Sequence, residues 1–216
     1  MPQNKIANQL FIFQMSLSYP NMKPAMKVLL EKSVIKNLFI LLLAIIVANS
    51  LNAQTLPAIG NQTKIYIVRH AEKQPGEDPF LTTEGNIRAG DLMRTLKNKR
   101  IKRIYVSQFK RTQQTADSMF LQAGIDTVQY VADVSCTDLF NAIEKNKDWN
   151  NHILIISHSN IIQKIILKLG VTDFPQQNIP ANEFDNLYQV RFKNKQPFVE
   201  QSKYGKPSTA SETITQ

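Results

Sequence analysis

Residues 64–73 read Lys-Ile-Tyr-Ile-Val-Arg-His-Ala-Glu-Lys, a short apolar run that stops at an arginine and a histidine. The apolar residues 65–68 are β-branched or aromatic and polar residues follow at once, which predicts an inner strand of a sheet. Ligands of open α/β sheets bind just beyond such strand ends. Arg69 offers a rigid fork of donors that fits phosphate oxygens, so Arg69 and His70 together predict an anion-binding site. The simpler alternative is a strand that ends in ordinary surface side chains.

A strand–helix pattern continues from this stretch and predicts the fold class. Further strands are expected at 104–106, 128–131, 152–157, 186–193 and 197–203, and helices at 82–97, 111–123, 139–149 and 161–169. Connections between parallel strands are right-handed and cover both faces of a sheet. The pattern therefore predicts an α/β protein, a three-layer α/β/α sandwich with a mainly parallel central sheet that closes with an antiparallel hairpin.

Two of the predicted helices have apolar residues at helical spacing, which makes those residues candidates for the core. In the first helix they are Ile87, Leu92, Met93 and Leu96. In the third helix they are Leu139, Phe140, Ile143 and Trp149.

Basic side chains follow three of the predicted strands. Arg69 and His70 follow the first strand, Arg111 opens the helix after the second, and His158 follows the fourth. The carboxyl ends of parallel strands share one edge of a sheet, so these four side chains are expected to converge. An arginine is unusual in the first turn of a helix, and Arg111 would be explained if it faced a bound anion together with the free N–H groups there. The alternative is an exposed Arg111 with no partner.

Residues 1–53 have the features of an export signal. Lysines at 23, 27, 32 and 36 precede an unbroken apolar run, Leu38–Ala48, and Ala53 is the expected cleavage point. The run is shorter than the roughly 20 residues that cross a bilayer. Export to the periplasm or the medium is expected, with membrane contact only through the signal peptide. The alternative is an uncleaved N-terminal anchor, and Met26 is an alternative start that would leave residues 1–25 untranslated.

The remainder of the chain divides into a domain at 54–203 and a tail at 204–216 that is rich in polar residues and predicted to be disordered. Five lysines and one glutamate in residues 1–53 account for +4 of the net charge of +9, which leaves +5 for the rest. That charge suits anionic ligands, but no basic and aromatic stripe indicates nucleic acid. Cys136 is the only cysteine, so no intrachain disulfide is possible, and the spacing of the cysteine and three histidines does not indicate a structural zinc site.

Four segments resemble motifs of the histidine phosphatase superfamily, also called phosphoglycerate mutase-like. Arg69-His70-Ala71 resembles the RHG motif with alanine in place of glycine. Leu81-Thr82-Thr83-Glu84-Gly85 is similar to the LTxxG helix start, residues 107–116 to the SxxxRTxxTA segment, and Ile156-Ser157-His158-Ser159-Asn160 to the second-histidine motif. The similarity runs in the family's order over residues 64–193, and the short loops resemble those of its small members without a lid.

The resemblance implies that His70 is the nucleophile that accepts a phosphoryl group. Arg69, Arg111 and His158 would form the phosphate pocket, with His158 also part of the catalytic set. Phosphoryl transfer spreads negative charge over the equatorial oxygens, and positioned cations stabilise that charge. The resemblance implies no metal and no other cofactor, because the arginines take the part that magnesium has in kinases.

The group that protonates the leaving oxygen is left open by the sequence. Family members often place a carboxyl group after the third strand, where this chain has Asp133 and Asp138 without a clear motif. Glu72 and Asp185 are further candidates, and for each carboxylate the alternative is a solvated loop residue. Without an acid, substrates with good leaving groups, phosphoramidates among them, would be favoured.

A short-looped, open pocket favours hydrolysis, because a mutase must shield its phosphorylated intermediate from water. The sequence therefore predicts an exported phosphatase that acts on phosphomonoesters or phosphoramidates through a phosphohistidine on His70. Its partner would be a phosphorylated small molecule or phosphoprotein, and the oligomeric state is open. The alternative is a protein that binds a phosphorylated ligand with little or no catalysis.

Overall fold

The structure is a computed structural model that describes residues 23, 32–43, 59–174 and 179–208. The chain forms two compact units, residues 1–55 and 56–216. The first unit is described at residue 23 and in a helix at 32–43, whose apolar side chains at 35 and 38–43 are exposed. None of the helices in the described ranges is both long and apolar enough to cross a membrane. The predicted cleavage point at Ala53 and the alternative start at Met26 lie outside the described residues.

The second unit is built on a six-stranded sheet. Its strands and helices alternate as β1 (Lys64–Arg69), α1 (Thr83–Leu96), β2 (Arg103–Ser107), α2 (Lys110–Ala123), β3 (Thr127–Tyr130), α3 (Thr137–Lys145), β4 (Ile153–Ser157), α4 (Ser159–Lys168), β5 (Asn186–Lys193) and β6 (Gln196–Lys203). The strand order is β3-β2-β4-β1-β5-β6. Strands β3, β2, β4 and β1 are parallel, whereas β5 and β6 complete the sheet in antiparallel orientation.

The alternation of side chains along β1 divides the core into two layers. Ile65 and Ile67 point to the face that α3 and α4 cover, and Tyr66 and Val68 point to the face that α1 and α2 cover. Helices therefore lie on both faces of a mostly parallel sheet, and the prediction of a three-layer α/β/α sandwich is confirmed. Strand β4 lies between β1 and β2 and is fully buried, as its unbroken apolar run predicts.

Two helix predictions differ from the structure. Helix α3 ends at Lys145, so Trp149 lies in the following loop, yet its side chain is buried and its ring centroid is 5.3 Å from that of Phe140. Ile87 on α1 is 58% exposed, because the buried face of that helix is formed by Gly85, Arg88, Ala89, Leu92 and Leu96. Apolar spacing alone did not show which flank of α1 faces the sheet.

The predicted disordered tail also differs from the structure in its first part. Tyr204 is 3% exposed, and its N–H donates to the carbonyl of Asp185 at 2.9 Å. Ser208 makes two further hydrogen bonds to the segment before β5. Tyr204 and Ser208 therefore attach this segment to the residues before β5, whereas residues 205–207 between them are exposed, and the prediction for residues 209–216 falls outside the described residues.

Candidate active site

Three neighbouring strands deliver the candidate site residues to one edge of the sheet. Arg69 is the last residue of β1, and His70 follows it with its N–H donating to the carbonyl of Ser157 at the end of β4, at 2.9 Å. Arg111 is the second residue of α2, directly after β2, and His158 is the N-cap of α4. The structure brings together the four side chains that the sequence places at strand ends, because β4 pairs with both β1 and β2.

The two imidazole rings face each other across the site. Their centroids are 5.4 Å apart, and both residues are more than nine-tenths buried. Nδ1 of His70 lies 2.8 Å from the carbonyl oxygen of Ala71. Because a carbonyl only accepts, Nδ1 carries the proton and donates it, which leaves Nε2 of the neutral ring with a free lone pair. His70 thus has the tautomer that a nucleophile needs.

Both histidines are held neutral by their surroundings. Burial lowers the pKa of His70 to about 3, against the opposing effect of the bond to the Ala71 carbonyl, and the charges of Arg69, His158 and Arg111 lower it further. Burial also lowers the pKa of His158 to about 4, again with help from Arg111 and Arg69. Near neutral pH neither ring carries a proton on both nitrogens, so each ring keeps one nitrogen with a lone pair.

Arg69 is fixed on one side and open on the other. Its Nη1 donates to the carbonyls of Pro180, Ala181 and Glu183 at 2.9 to 3.1 Å, which ties β1 to the segment before β5. Its Nε is buried and has no hydrogen-bond partner among the described residues. The guanidinium is therefore oriented by the backbone carbonyls, while its Nε–H remains available to donate a hydrogen bond to a ligand.

Arg111 has still more unused donor capacity. Its Nε and Nη1 are both buried without a hydrogen-bond partner among the described residues, and Nη1 lies 3.7 Å from Oδ1 of Asp78. Burial lowers the pKa of Arg111, but a guanidinium remains charged at any ordinary pH. Buried donors that lack partners are costly, and an anion with several oxygens would satisfy them.

Two phenylalanines pack against the cations and the imidazoles. The ring of Phe184 lies 4.2 Å from Cζ of Arg69 and 5.9 Å from the ring of His70. The ring of Phe109 lies 4.3 Å from Cζ of Arg111 and 5.2 Å from the ring of His158. These contacts restrict the guanidinium planes and remove water from them, which strengthens their interaction with an anion.

Several residues near the site were missed or left without a role by the sequence reasoning. Ser107 and Thr112 belong to a motif segment, but only the structure shows that Ser107 Oγ lies 2.9 Å from both Thr112 Oγ1 and His158 Nε2. Asp78 lies in the loop after β1 and accepts a hydrogen bond from the N–H of Lys110 at 3.0 Å. No sequence pattern marks Asp78 or Phe184, because their roles depend on contacts between loops.

The three proposed acids are engaged elsewhere in the structure. Glu72 is bound by Arg88 through three hydrogen bonds of 2.6 to 2.9 Å. Asp133 accepts from the N–H of Ser135 at 2.6 Å in its own turn. Burial opposes ionisation of Asp185, but bonds from Lys203 and Ser208 dominate and lower its pKa. The fourth carboxylate considered, Asp138, accepts from the N–H of Val131.

None of these carboxylates forms a hydrogen bond with either imidazole in the described ranges, although the charge of Glu72 acts on Arg69 and opposes the burial that lowers the pKa of that guanidinium. The same ranges contain no cluster of three or more His, Cys, Asp or Glu side chains arranged to hold a metal ion.

Comparison with known proteins agrees with this geometry. The model of the histidine phosphatase superfamily (branch 1) matches residues 65–135, which include β1, α1, β2 and α2. No curated protein matches the sequence.

Two solved structures are similar over most of the second unit. One is assigned as the phosphohistidine phosphatase SixA from Agrobacterium tumefaciens, with a TM-score of 0.50, 18% identity, and coverage of 68% of this chain and 100% of that one. The other is assigned as an alpha-ribazole-5'-P phosphatase from Escherichia coli, with a TM-score of 0.50, 13% identity, and coverage of 68% of this chain and 98% of that one. At these identities the similarity concerns the fold.

Proposed function

We propose that the chain, whose residues 65–135 match the model of the histidine phosphatase superfamily (branch 1), is an exported phosphatase that hydrolyses phosphomonoesters or phosphoramidates through a phosphohistidine on His70. One observation carries the proposal. Buried donors of Arg69 and Arg111, which have no hydrogen-bond partner in the part of the chain that the structure describes, lie beside two imidazoles whose centroids are 5.4 Å apart. A phosphoryl group supplies the oxygens those donors need and the phosphorus atom that a neutral imidazole attacks.

In the first chemical step Nε2 of His70 attacks phosphorus. The bond between Nε2 and phosphorus forms while the bond from phosphorus to the leaving oxygen or nitrogen breaks, and the leaving group departs with that electron pair and takes up a proton from solvent. Negative charge is spread over the equatorial oxygens, where Arg69 and Arg111 stabilise it. The hydrogen bond from Nδ1 to the Ala71 carbonyl supports the positive charge that develops on the ring.

In the second step water replaces the histidine. Its oxygen bonds to phosphorus, the bond to Nε2 breaks and returns its electron pair to the ring, and one proton of the water passes to solvent, so that inorganic phosphate leaves and His70 is again neutral. The same cations stabilise both transition states, because the charge distribution on the phosphoryl oxygens is similar in each. His158, buried on the opposite side of the site, adds a third positively charged group when a bound phosphate draws a proton onto it.

The substrate class follows from how the leaving group obtains its proton. The described carboxylates at 72, 133 and 185 are held by other partners, which favours substrates whose leaving group needs little help, such as aryl esters and phosphoramidates. One fold neighbour is assigned as a phosphohistidine phosphatase, a phosphoramidate hydrolase. We therefore place phosphohistidine on a protein, together with small phosphorylated molecules, among the first substrates to test.

The proposal of export depends on residues 1–53 alone. Lysines precede the apolar run Leu38–Ala48, and small residues follow it at the expected cleavage point. Fractionation of cells that express the full chain, with N-terminal sequencing of the exported form, tests this part. A mature protein in the periplasm or the medium that begins after Ala53 supports it, and a full-length protein in the membrane fraction supports the uncleaved anchor.

The catalytic part is tested by substitution of the nucleophile. His70→Ala should abolish hydrolysis of an aryl phosphate while the circular dichroism spectrum is retained. His152→Ala is the matched control and should retain activity, because in the described residues that histidine is bonded to the carbonyls of Lys99 and Gln62, away from the site.

Mass spectrometry of the acid-labile phosphoenzyme after a rapid quench should locate the phosphoryl group on His70. Full activity of His70→Ala would eliminate the mechanism. Tight phosphate binding without turnover or phosphoenzyme would instead identify a phospho-ligand binding protein.

A further inference from the structure

We propose that the segment Tyr204–Ser208, which follows β6, helps to hold the active-site residues in place, with Ser208 and Arg88 as positioning residues. The inference rests on the proposed function for its kinetic readout, but its binding readout needs no turnover. One set of contacts connects this segment to Arg69 and His70, and a second set of hydrogen bonds connects it to Glu72, two residues after His70.

The first connection passes through Ser208. Its Oγ accepts a hydrogen bond from the N–H of Phe184 at 2.9 Å, and its own N–H donates to Oδ2 of Asp185 at 3.1 Å. The ring of Phe184 packs on the guanidinium of Arg69 and on the ring of His70. Ser208 therefore fixes the backbone of the residue whose side chain holds one arginine of the phosphate pocket in its plane.

The second connection passes through Arg88 on α1. Its Nη1 donates to the carbonyl of Lys206 at 2.9 Å and to that of Tyr204 at 3.3 Å. Its Nε and Nη2 bind the carboxylate of Glu72, two residues after His70. Arg88 is 5% exposed, so this bridge is shielded from water and joins the segment to the loop that carries the nucleophile.

The backbone of the segment is fixed by its own sequence. Gly205 has φ +67, which favours glycine, and a Cβ at that position would lie 2.7 Å from Oδ2 of Asp91. Tyr204 anchors the segment from the other side, since its side chain is buried in the layer with α1 and α2. Glycine at 205 thus allows the turn that brings Lys206 and Ser208 back towards the site.

The expected effect is on binding of the phosphoryl group more than on its transfer. Without the Ser208 hydroxyl, Phe184 loses the acceptor for its N–H and packs less firmly on Arg69, whose Nη1 stays bound to the three backbone carbonyls. Nδ1 of His70 keeps its bond to Ala71, so the nucleophile itself is unaffected. KM and the dissociation constant of inorganic phosphate should rise about threefold to tenfold, the effect of one hydrogen bond, while kcat changes by less than about twofold.

Point variants of Ser208 provide the first test. Ser208→Ala should raise KM for an aryl phosphate and weaken binding of inorganic phosphate in calorimetry. Ser208→Thr, which retains the hydroxyl, should restore both values. Ser202→Ala on β6 is the matched control, because its hydroxyl is exposed and reaches only the Leu187 carbonyl at 3.5 Å. If Ser208→Ala binds phosphate as tightly as Ser202→Ala does, the positioning role is wrong.

A pair of glycine variants tests the segment as a whole. Gly205→Ala strains φ and pushes on Asp91, whereas Gly124→Ala strains a similar φ of +64 with no atom within 4 Å of the new Cβ. Only Gly205→Ala should weaken phosphate binding, and equal phosphate affinities in the two variants would overturn the proposal. Failure of the proposed function is recognised separately, as phosphate binding that responds to these variants in a protein that forms no phosphoenzyme.

Discussion

Ser107 Oγ lies 2.9 Å from Nε2 of His158, and the surrounding hydrogen bonds determine which of the two is the donor. Thr112 Oγ1 has one hydrogen, which it gives to the Phe109 carbonyl at 2.8 Å, since a carbonyl can only accept. The Ser107 hydroxyl then donates to Thr112 Oγ1, and its oxygen accepts from Nε2–H of His158. The neutral His158 ring is thereby held with its proton on Nε2 and its Nδ1 free to meet a ligand.

Ser107→Ala should therefore disturb His158 without removing it. The tautomer would no longer be fixed, and kcat/KM for an aryl phosphate should fall about tenfold, the value of one buried hydrogen bond. Nitrogen NMR of the imidazole would report the tautomer directly, as a change in which nitrogen of His158 is protonated. Ser202→Ala is again the control, and an unchanged His158 spectrum in Ser107→Ala would contradict the assignment.

The stability of the fold should depend on pH through the two site histidines. Their pKa values of about 3 and about 4 lie below the 6.5 of a free imidazole, so between these values the unfolded chain binds protons that the folded chain does not. The free energy of unfolding therefore falls as the pH is lowered through this interval, and the two histidines have no effect above it. From pH 7.5 to 5.0 the loss should be about 2 kcal/mol for each histidine.

Urea unfolding at the two pH values measures this effect. The double variant His70→Gln, His158→Gln lacks both titrating groups and should lose about 4 kcal/mol less than the wild type over the same interval. His152 is present in both proteins, so its titration cancels in the comparison. Equal losses in the two proteins would show that the site histidines are not held neutral.

The sequence predicted those parts of the site that depend on single strands. Arg69, His70 and His158 stand at or directly after the ends of buried strands, and the shared edge of parallel strands was enough to bring them together. Contacts between distant loops could not be predicted in this way. Phe184 and Ser208 reach the site only because β5, β6 and the segment after them pack beside β1, and no local pattern encodes that arrangement.

A buried residue at the centre of the sheet and an exposed residue of α1 together test the arrangement of the core. Ile155 on β4 is fully buried, so Ile155→Ala should lower the free energy of unfolding by about 2–5 kcal/mol. Ile87, although apolar and on a predicted core face, is 58% exposed. Ile87→Ala should therefore change the free energy of unfolding by less than about 0.5 kcal/mol. Urea unfolding of both variants measures the difference, and a large loss in Ile87→Ala would contradict the orientation of α1.

Replacement of Arg111 by lysine separates charge from geometry. Lysine keeps the positive charge but cannot present the planar pair of donors that Nε and Nη1 provide, so Arg111→Lys should lower kcat/KM about 100-fold and weaken phosphate binding about tenfold. Arg191→Lys is the control, because Arg191 is a half-exposed residue of β5 that pairs with Glu200. Steady-state kinetics and calorimetry on both variants measure these changes. If Arg111→Lys is as active as Arg191→Lys, Arg111 does not belong to the pocket.

The negative charge of Asp78 lies close to Arg111, where the phosphoryl group of a substrate would also place its negative charge. Its Oδ1 accepts from the N–H of Lys110 at 3.0 Å and lies 3.7 Å from Nη1 of Arg111. Asp78→Asn retains an oxygen for Lys110 but removes the charge that competes with phosphate for Arg111. Inorganic phosphate should then bind about threefold to fivefold tighter, a modest gain because Asp78 is partly exposed and screened.

Asp126→Asn is the matched control for Asp78→Asn, since that carboxylate lies 3.8 Å from Arg103, far more exposed and outside the group of site residues. Its phosphate affinity should equal that of the wild type. Substrates with poor leaving groups provide a second readout of Asp78. If their kcat falls in Asp78→Asn while phosphate affinity does not rise, the side chain assists the leaving group instead of competing with the phosphoryl oxygens for Arg111.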